Sequence, residues 1–449
     1  MTKKMLRPKK NSISSFQIIT LGFLCVILLG SVLLMLPVAA SNGKATSFLD
    51  ALFTSVSATC VTGLVVLDTA THWSAFGQAV IALLIQIGGL GVVTITVSMV
   101  LFAGKKVGLR QRNTLRESVS APDTGRVINL IKFILIVTVI AELLGACLLA
   151  TVFCKDFGPL KGIWYACFHS VSAFCNAGFD LMGITGEFSS LSGYSDNVVV
   201  NLVVCSLILV GGIGFLTWDD VRHHGIHIKK YRLQSKLIFL MTFILVVFPF
   251  LFYYFNEFAK TDMPTGEKVL AALFQSVTPR TAGFNTVDLA SFNGSSQALM
   301  IVQMLIGGAP GSTAGGVKVT TMAVLFMTVF SVVRRKEDTE SFGRRIDDNT
   351  VKYALTVLLI YLSMFFVSGI VISCIEQLPL SACLFETASA IGTVGLTLGI
   401  TTELCAASRL ILIVLMFLGR VGGLTIAFAG LSNKVRNVSK LPEEKITVG

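Results

Sequence analysis

Eight long apolar runs, separated by clusters of Lys and Arg, leave few folds open to this chain. They cover about 16–37, 74–103, 127–153, 197–218, 237–255, 297–333, 353–375 and 410–431. A helix needs about 20 apolar residues to cross a bilayer. In hydrocarbon, only helices and closed barrels satisfy every backbone N–H and C=O. The chain is 53% hydrophobic and only 14% charged, where a soluble domain carries about 25% charged residues. These runs predict an all-α membrane protein with eight transmembrane helices.

The net charge of +11 is of a size that can mark nucleic-acid binding, but its placement argues against that. Of the 36 basic residues, 26 lie in five segments that alternate with pairs of apolar runs: Lys3 to Lys10, Lys105 to Arg126, Arg222 to Lys236, Arg334 to Lys352 and Lys434 to Lys445. This is the positive-inside pattern of a multi-pass plasma-membrane protein. Both termini and these loops are therefore expected in the cytoplasm, with lipid rather than nucleic acid around the chain. The first apolar run exceeds the roughly 7–15 residues of a signal-peptide core and is read as a retained helix. The ten cysteines include no C-x-x-C pair and read as small buried hydrophobes.

Between the members of each pair of spans lies a shorter apolar segment, at about 47–58, 162–173, 267–278 and 381–390. Such segments are too short to span and read as re-entrant pore helices. Each carries the same frame: an aromatic, any residue, a small hydroxyl, a small apolar residue, a small hydroxyl, then a glycine followed by Leu or Phe. It runs Phe53-Thr54-Ser55-Val56-Ser57 to Gly63, Phe168-His169-Ser170-Val171-Ser172 to Gly178, Phe274-Gln275-Ser276-Val277-Thr278 to Gly283 and Phe385-Glu386-Thr387-Ala388-Ser389 to Gly395. The third copy is one residue shorter. A second landmark follows each at Gly88-Gly89, Gly211-Gly212, Gly307-Gly308 and Gly422-Gly423. Two landmarks recurring four times in order make an internal repeat. The expected boundaries are an N-terminal segment 1–15, repeats at 16–104, 105–222, 223–335 and 336–432, and a C-terminal segment 433–449.

Four helix, pore loop, helix units around one axis enclose a single path. Rings of backbone carbonyls can replace the water shell of a potassium ion, and glycine permits the unusual turns this needs. The expected lining is Val61-Thr62-Gly63, Asn176-Ala177-Gly178, Thr281-Ala282-Gly283 and Thr393-Val394-Gly395. None of these residues is acidic, which suits selection by carbonyl dipoles.

The sixth apolar run is too long for one straight span. It contains Gly307-Gly308-Ala309-Pro310-Gly311-Ser312-Thr313-Ala314-Gly315-Gly316, five glycines and a proline in ten residues, so its helix is expected to break. Irregular backbone at that depth must border a water-filled path, and this stretch reads as a gating strap below the filter. Arg420 lies inside the last run, where a charge costs about 2.5–3.5 kcal/mol and marks a functional residue. It is the expected partner of the strap. Glu142, inside the third run, is either functional or part of a structural pair.

These loops, above all the stretch Ser276-Val277-Thr278-Pro279-Arg280-Thr281-Ala282-Gly283-Phe284-Asn285, and the glycine-rich strap resemble the Ktr/Trk/HKT superfamily of cation transporters over roughly 16–431. Within it the chain is most similar to the KtrB-type membrane subunit of bacterial Ktr systems. The resemblance implies potassium uptake, a homodimer with one pore per protomer, and a cytoplasmic ring of KtrA-like subunits that bind ATP or ADP. It also implies sodium stimulation, with no organic cofactor in this chain. The family's filter glycines fall on Gly63, Gly178, Gly283 and Gly395, its strap on Gly307 to Gly316 and its inner-helix arginine on Arg420. A sodium- or proton-coupled symporter is the alternative. A solute carrier is disfavoured because all four repeats run in the same sense, and an enzyme because the histidines form no H-E-x-x-H motif.

Overall fold

The computed structural model describes residues 14–102, 108–118 and 127–422. The basic clusters at Lys3 to Lys10 and Lys434 to Lys445, together with Lys105, Lys106, Arg126 and Gly423, lie outside these residues. The same order of elements recurs along the chain: a long outer helix, a short helix, an irregular loop and an inner helix, which is broken in the first three units. The first unit comprises α1 (Ser15–Met35), α2 (Phe48–Cys60), α3 (Ala75–Leu90) and α4 (Val92–Phe102). The amphipathic α5 (Leu109–Ser118) precedes α6 (Val127–Phe157), α7 (Pro159–Phe174), α8 (Val198–Gly212) and α9 (Phe215–His224). Then come α10 (Leu233–Asn256), α11 (Thr265–Val277), α12 (Gly294–Leu305) and α13 (Val319–Val333), and finally α14 (Asp348–Glu376), α15 (Leu380–Gly392) and α16 (Ala406–Val421). A two-residue hairpin, Glu340–Ser341 against Arg344–Arg345, joins the third unit to the fourth.

Local chemistry sets the starts. Ser14 and Gln17 form a capping box on α1, while Ser47, Ser74, Asn197 and Asn293 cap α2, α3, α8 and α12. Three of the short helices open on proline, with Pro159, Pro264 and Pro379 at or just before their first turns. The outer helices α1, α6, α10 and α14 are long and apolar enough to cross a membrane. They turn residues such as Leu28, Leu29, Leu143, Leu144, Phe243 and Val367 outward, the surface that lipid covers.

The runs at 74–103 and 197–218, expected as straight spans, are each two helices. The chain bends by 94° between α3 and α4 and by 93° between α8 and α9. The bends fall at Gly91 (φ 87°) and Gly214 (φ 93°), left-handed residues that a continuing helix cannot contain. The fourth unit matches them: Gly422 (φ 92°) ends α16 as Gly91 ends α3. Three residues earlier, Gly88, Gly211 and Gly419 press against the carbonyls of Thr59, Phe174 and Ile391 at the ends of the short helices. The fourth counterpart of Gly88 is thus Gly419, which lies three residues before its bend glycine and meets a short-helix end, while Gly422 corresponds to Gly91.

Outer and short helices meet at small residues. Ser55 Oγ donates to the Ile27 carbonyl and Ser170 Oγ to the Glu142 carbonyl, both at 2.7 Å. A side chain on Gly30 or Gly145 would run into these hydroxyls and into Leu84 or Leu207. Gly30→Val and Gly145→Val should each lower the thermal midpoint of the detergent-purified protein, by the roughly 1–3 kcal/mol of an overpacked core. Gly266→Ala, in open space at the start of α11, should leave the midpoint unchanged or raise it.

Candidate ion path

The short helices α2, α7, α11 and α15 end at the loops that carry the repeat-frame glycines. Helix ends leave carbonyls without intrahelical partners, so the negative end of each dipole faces its loop. The frame's second hydroxyl residue closes each loop back on its helix. Its carbonyl accepts the N–H of the residue before the glycine: Thr62 to Ser57 at 2.8 Å, Ala177 to Ser172 at 2.7 Å, Ala282 to Thr278 at 3.0 Å and Val394 to Ser389 at 2.8 Å. Its hydroxyl makes a second tie. Ser57 and Ser389 accept the N–H of Gly63 and Gly395 at 3.1 and 3.0 Å, while Ser172 and Thr278 donate to the carbonyls of Phe179 and Phe284 at 2.7 and 2.5 Å. The shorter third loop keeps the same closure with one residue fewer.

Two residues in every loop are left-handed. Val61, Asn176, Thr281 and Thr393 have φ of 58°, 58°, 69° and 52°, and the glycines two positions on have φ of 88°, 70°, 83° and 94°. In an extended strand successive carbonyls alternate sides; alternating handedness turns them to one side. The loops then interlock in cyclic order. A Cβ on Gly63 would strike the Ala177 carbonyl oxygen, one on Gly178 that of Ala282, one on Gly283 that of Val394, and one on Gly395 that of Thr62. Each predicted lining residue is therefore brought into one buried ring.

Cavities flank the ring. One of about 120 Å³ is lined by all four glycines with Asp68, Asp180, Thr397 and Thr401. On the opposite side, a cavity of about 260 Å³ is lined by Gly89, Pro310, Gly311, Ser312, Lys318 and Arg420, among others.

The strap from Gly307 to Gly316 lies between α12 and α13 and crosses under the ring. Its ends pair with each other, Gly307 N–H to Val317 O at 2.8 Å and Val319 N–H to Gly308 O at 3.1 Å. Its middle is bound to the second unit: Ala309 N–H reaches Gly212 O at 2.9 Å, Phe215 N–H reaches Gly311 O at 2.9 Å, and the Thr313 hydroxyl donates to Phe174 O at 3.1 Å. Gly315 packs directly against Thr393 and Gly316 against Gly392, while Ala314 is buried and the Ser312 hydroxyl donates back to Ala309 O at 2.6 Å. Arg420 donates to the Thr313 carbonyl and, across the cavity, to the carbonyls of Gly88 and Gly89.

Sequence reasoning passed over Lys318, whose ammonium donates to Ala314 O at 2.7 Å and Gly315 O at 3.3 Å. A lysine two residues past the glycine-rich stretch, inside an apolar run, was the available signal. Glu142 accepts a bond from Gln86 at 3.2 Å, and Gln86 in turn accepts the thiol of Cys175, the residue before Asn176 of the ring, at 3.7 Å.

The profile of the family described as TrkH, cation transport protein, matches residues 3–435. The chain belongs to this family. Among relatives of this TrkH-family chain, the potassium/sodium uptake protein NtpJ of Enterococcus hirae is 40% identical over all of this chain and 99% of its own length. The Ktr system potassium uptake protein B of Bacillus subtilis is 39% identical, with 96% of each chain covered. The crystal structure of the potassium transporter TrkH from Vibrio parahaemolyticus matches with a TM-score of 0.72 over 95% of this chain and 86% of that one, at 22% identity. The two share a fold.

A side chain at a ring glycine must displace a neighbouring carbonyl. Gly63→Ser and Gly283→Ser should each reduce the preference for potassium over sodium about tenfold or more, read from competitive uptake into proteoliposomes. Unchanged ratios in both would remove the loops as the selecting element.

Proposed function

We propose that this chain is the ion-translocating subunit of a potassium uptake system. One observation carries the reading: four buried loops, each alternating in handedness, interlock in cyclic order between two cavities. A dehydrated cation there meets carbonyl oxygens in place of water. The relatives' names supply the ion, potassium in the Ktr proteins and potassium or sodium in NtpJ. The ring sits in a plasma membrane with the strap side and both termini cytoplasmic, in keeping with the charge pattern of the loops.

The strap and Arg420 form the gate in this reading. Glycines give the strap many backbone states, and Arg420 clasps it to the first unit. A hydrogen bond to a charged group is worth about 1.5–3 kcal/mol, and about 1.4 kcal/mol shifts an equilibrium tenfold. A single clasp is therefore enough to set the closed fraction. Control from outside the chain follows from membership in a Ktr-type system. We assign it to a cytoplasmic ring of nucleotide-binding subunits acting on a homodimer of this chain, with sodium as a stimulating ion.

In cells deprived of their own uptake systems, this chain with its cognate regulatory subunit should restore growth at limiting potassium. A correctly inserted chain that fails to do so would overturn the assignment. Deleting residues 311–315, or making Arg420→Ala, should raise basal potassium flux about tenfold and reduce its dependence on the regulatory subunit. Lower flux from a correctly inserted deletion would mean that the strap supports the pore instead.

A further inference from the structure

In every frame the residue after the aromatic is polar and buried: Thr54, His169, Gln275 and Glu386. The four are not equivalent. Thr54 donates back to Asp50 O of its own helix at 2.9 Å, and neither amide atom of Gln275 has a hydrogen-bond partner among the described residues. His169 and Glu386 instead reach the chain beyond their loops. The His169 ring lies with Nδ1 2.7 Å from the Tyr165 carbonyl, which makes Nδ1 the donor. Nε2 then accepts the N–H of Leu181, three residues past Gly178, at 3.3 Å.

Glu386 makes the stronger tie. One carboxylate oxygen accepts the Thr397 hydroxyl and the other accepts the Thr401 hydroxyl at 3.0 Å. Thr397 and Thr401 are themselves 2.9 Å apart, and Thr397 also accepts the N–H of Gly399 at 2.9 Å. Among the described residues no Lys or Arg forms an ion pair with Glu386. Burying a carboxylate is costly without such compensation, and a glutamine of the same shape would fill the space at lower cost. Thr397 and Thr401 line the outer cavity, and Thr397 stands two residues past the ring glycine Gly395. The carboxylate is therefore joined, through two hydroxyls, to both the cation entrance and the limb that carries the fourth loop's carbonyls.

We propose that Glu386 is a positioning residue for cation selection, fixing the outer limb of the fourth loop and with it the Val394 and Gly395 carbonyls. This rests on reading the ring as a cation filter. His169 makes the weaker counterpart on the diagonally opposite loop, so this position adds a brace to two quarters of the ring and leaves the other two to their frame hydroxyls.

Purified full-length protein in proteoliposomes tests it. Uptake of potassium, rubidium and sodium is measured for wild type, Glu386→Gln, Thr397→Val, Thr401→Val and Thr54→Val, with the thermal midpoint of each. Glu386→Gln should weaken potassium-over-sodium discrimination at least fivefold and raise the KM for potassium by a similar factor, with the maximal rate within twofold. Each loop threonine variant should move the same ratio in the same direction, while Thr54→Val should leave it within twofold. Should Glu386→Gln fail to insert, the threonine variants decide. A lowered midpoint with unchanged ion ratios in the variants that fold would overturn the proposal and leave Glu386 a packing residue. Wild-type vesicles that carry no potassium would count against the potassium reading, and the dependence of whichever cation flows on Glu386 would still decide this one.

Discussion

Backbone polar groups at membrane depth have no water to bond, and the loops at the centre of this protein meet that constraint with one hydrogen bond made four times. The N–H before each ring glycine is held by the carbonyl of the frame's second hydroxyl residue. A single such bond is worth about 0.5–1.5 kcal/mol net, but leaving a buried donor unpaired costs more. The bond also decides which way the chain leaves the short helix. With that exit fixed, the left-handed residue and the glycine after it place the carbonyls of the ring.

The ring is closed by different chemistry at different depths. On the side of the smaller cavity Arg409 of α16 bonds Asp50 of α2 at 2.8 Å and the Thr402 carbonyl at 2.9 Å, joining the fourth unit to the first. On the strap side Arg420, on the same helix, joins the strap to the first unit through Gly88 and Gly89. One helix therefore carries both clasps across the seam where the beginning and the end of the pseudo-fourfold chain meet. Covalent connection supplies continuity at the other junctions, and charge supplies it at this one.

The repeat frame in the sequence located the short helices to within a few residues, because it combines apolar length with glycines that only a special backbone needs. The hydroxyls of the frame were equally visible, but their roles were not. Ser55 and Ser57 differ by two positions and face different partners, an outer helix and the loop itself, a distinction that depends on helix phase in three dimensions. The breaks at Gly91 and Gly214 escaped for the opposite reason. Each sits in an uninterrupted apolar run close behind a glycine pair, and any one glycine costs a helix only about 1 kcal/mol, so which of them turns left-handed is legible only once the neighbouring strap and short-helix ends are in place. The strap itself was conspicuous, since five glycines and a proline in ten residues admit no helix.

Carrying all four quarters of the ring on one chain changes how the pore comes into being. A ring assembled from separate subunits depends on their concentration in the membrane, whereas here every encounter between quarters is intramolecular, at an effective concentration set by the connecting segments. Dilution cannot dissolve the ring. It also means that a substitution in one loop alters one quarter only, so that Thr54, His169, Gln275 and Glu386 were free to become four different residues at a single position of the repeat. A ring of identical subunits would have had to change all four at once.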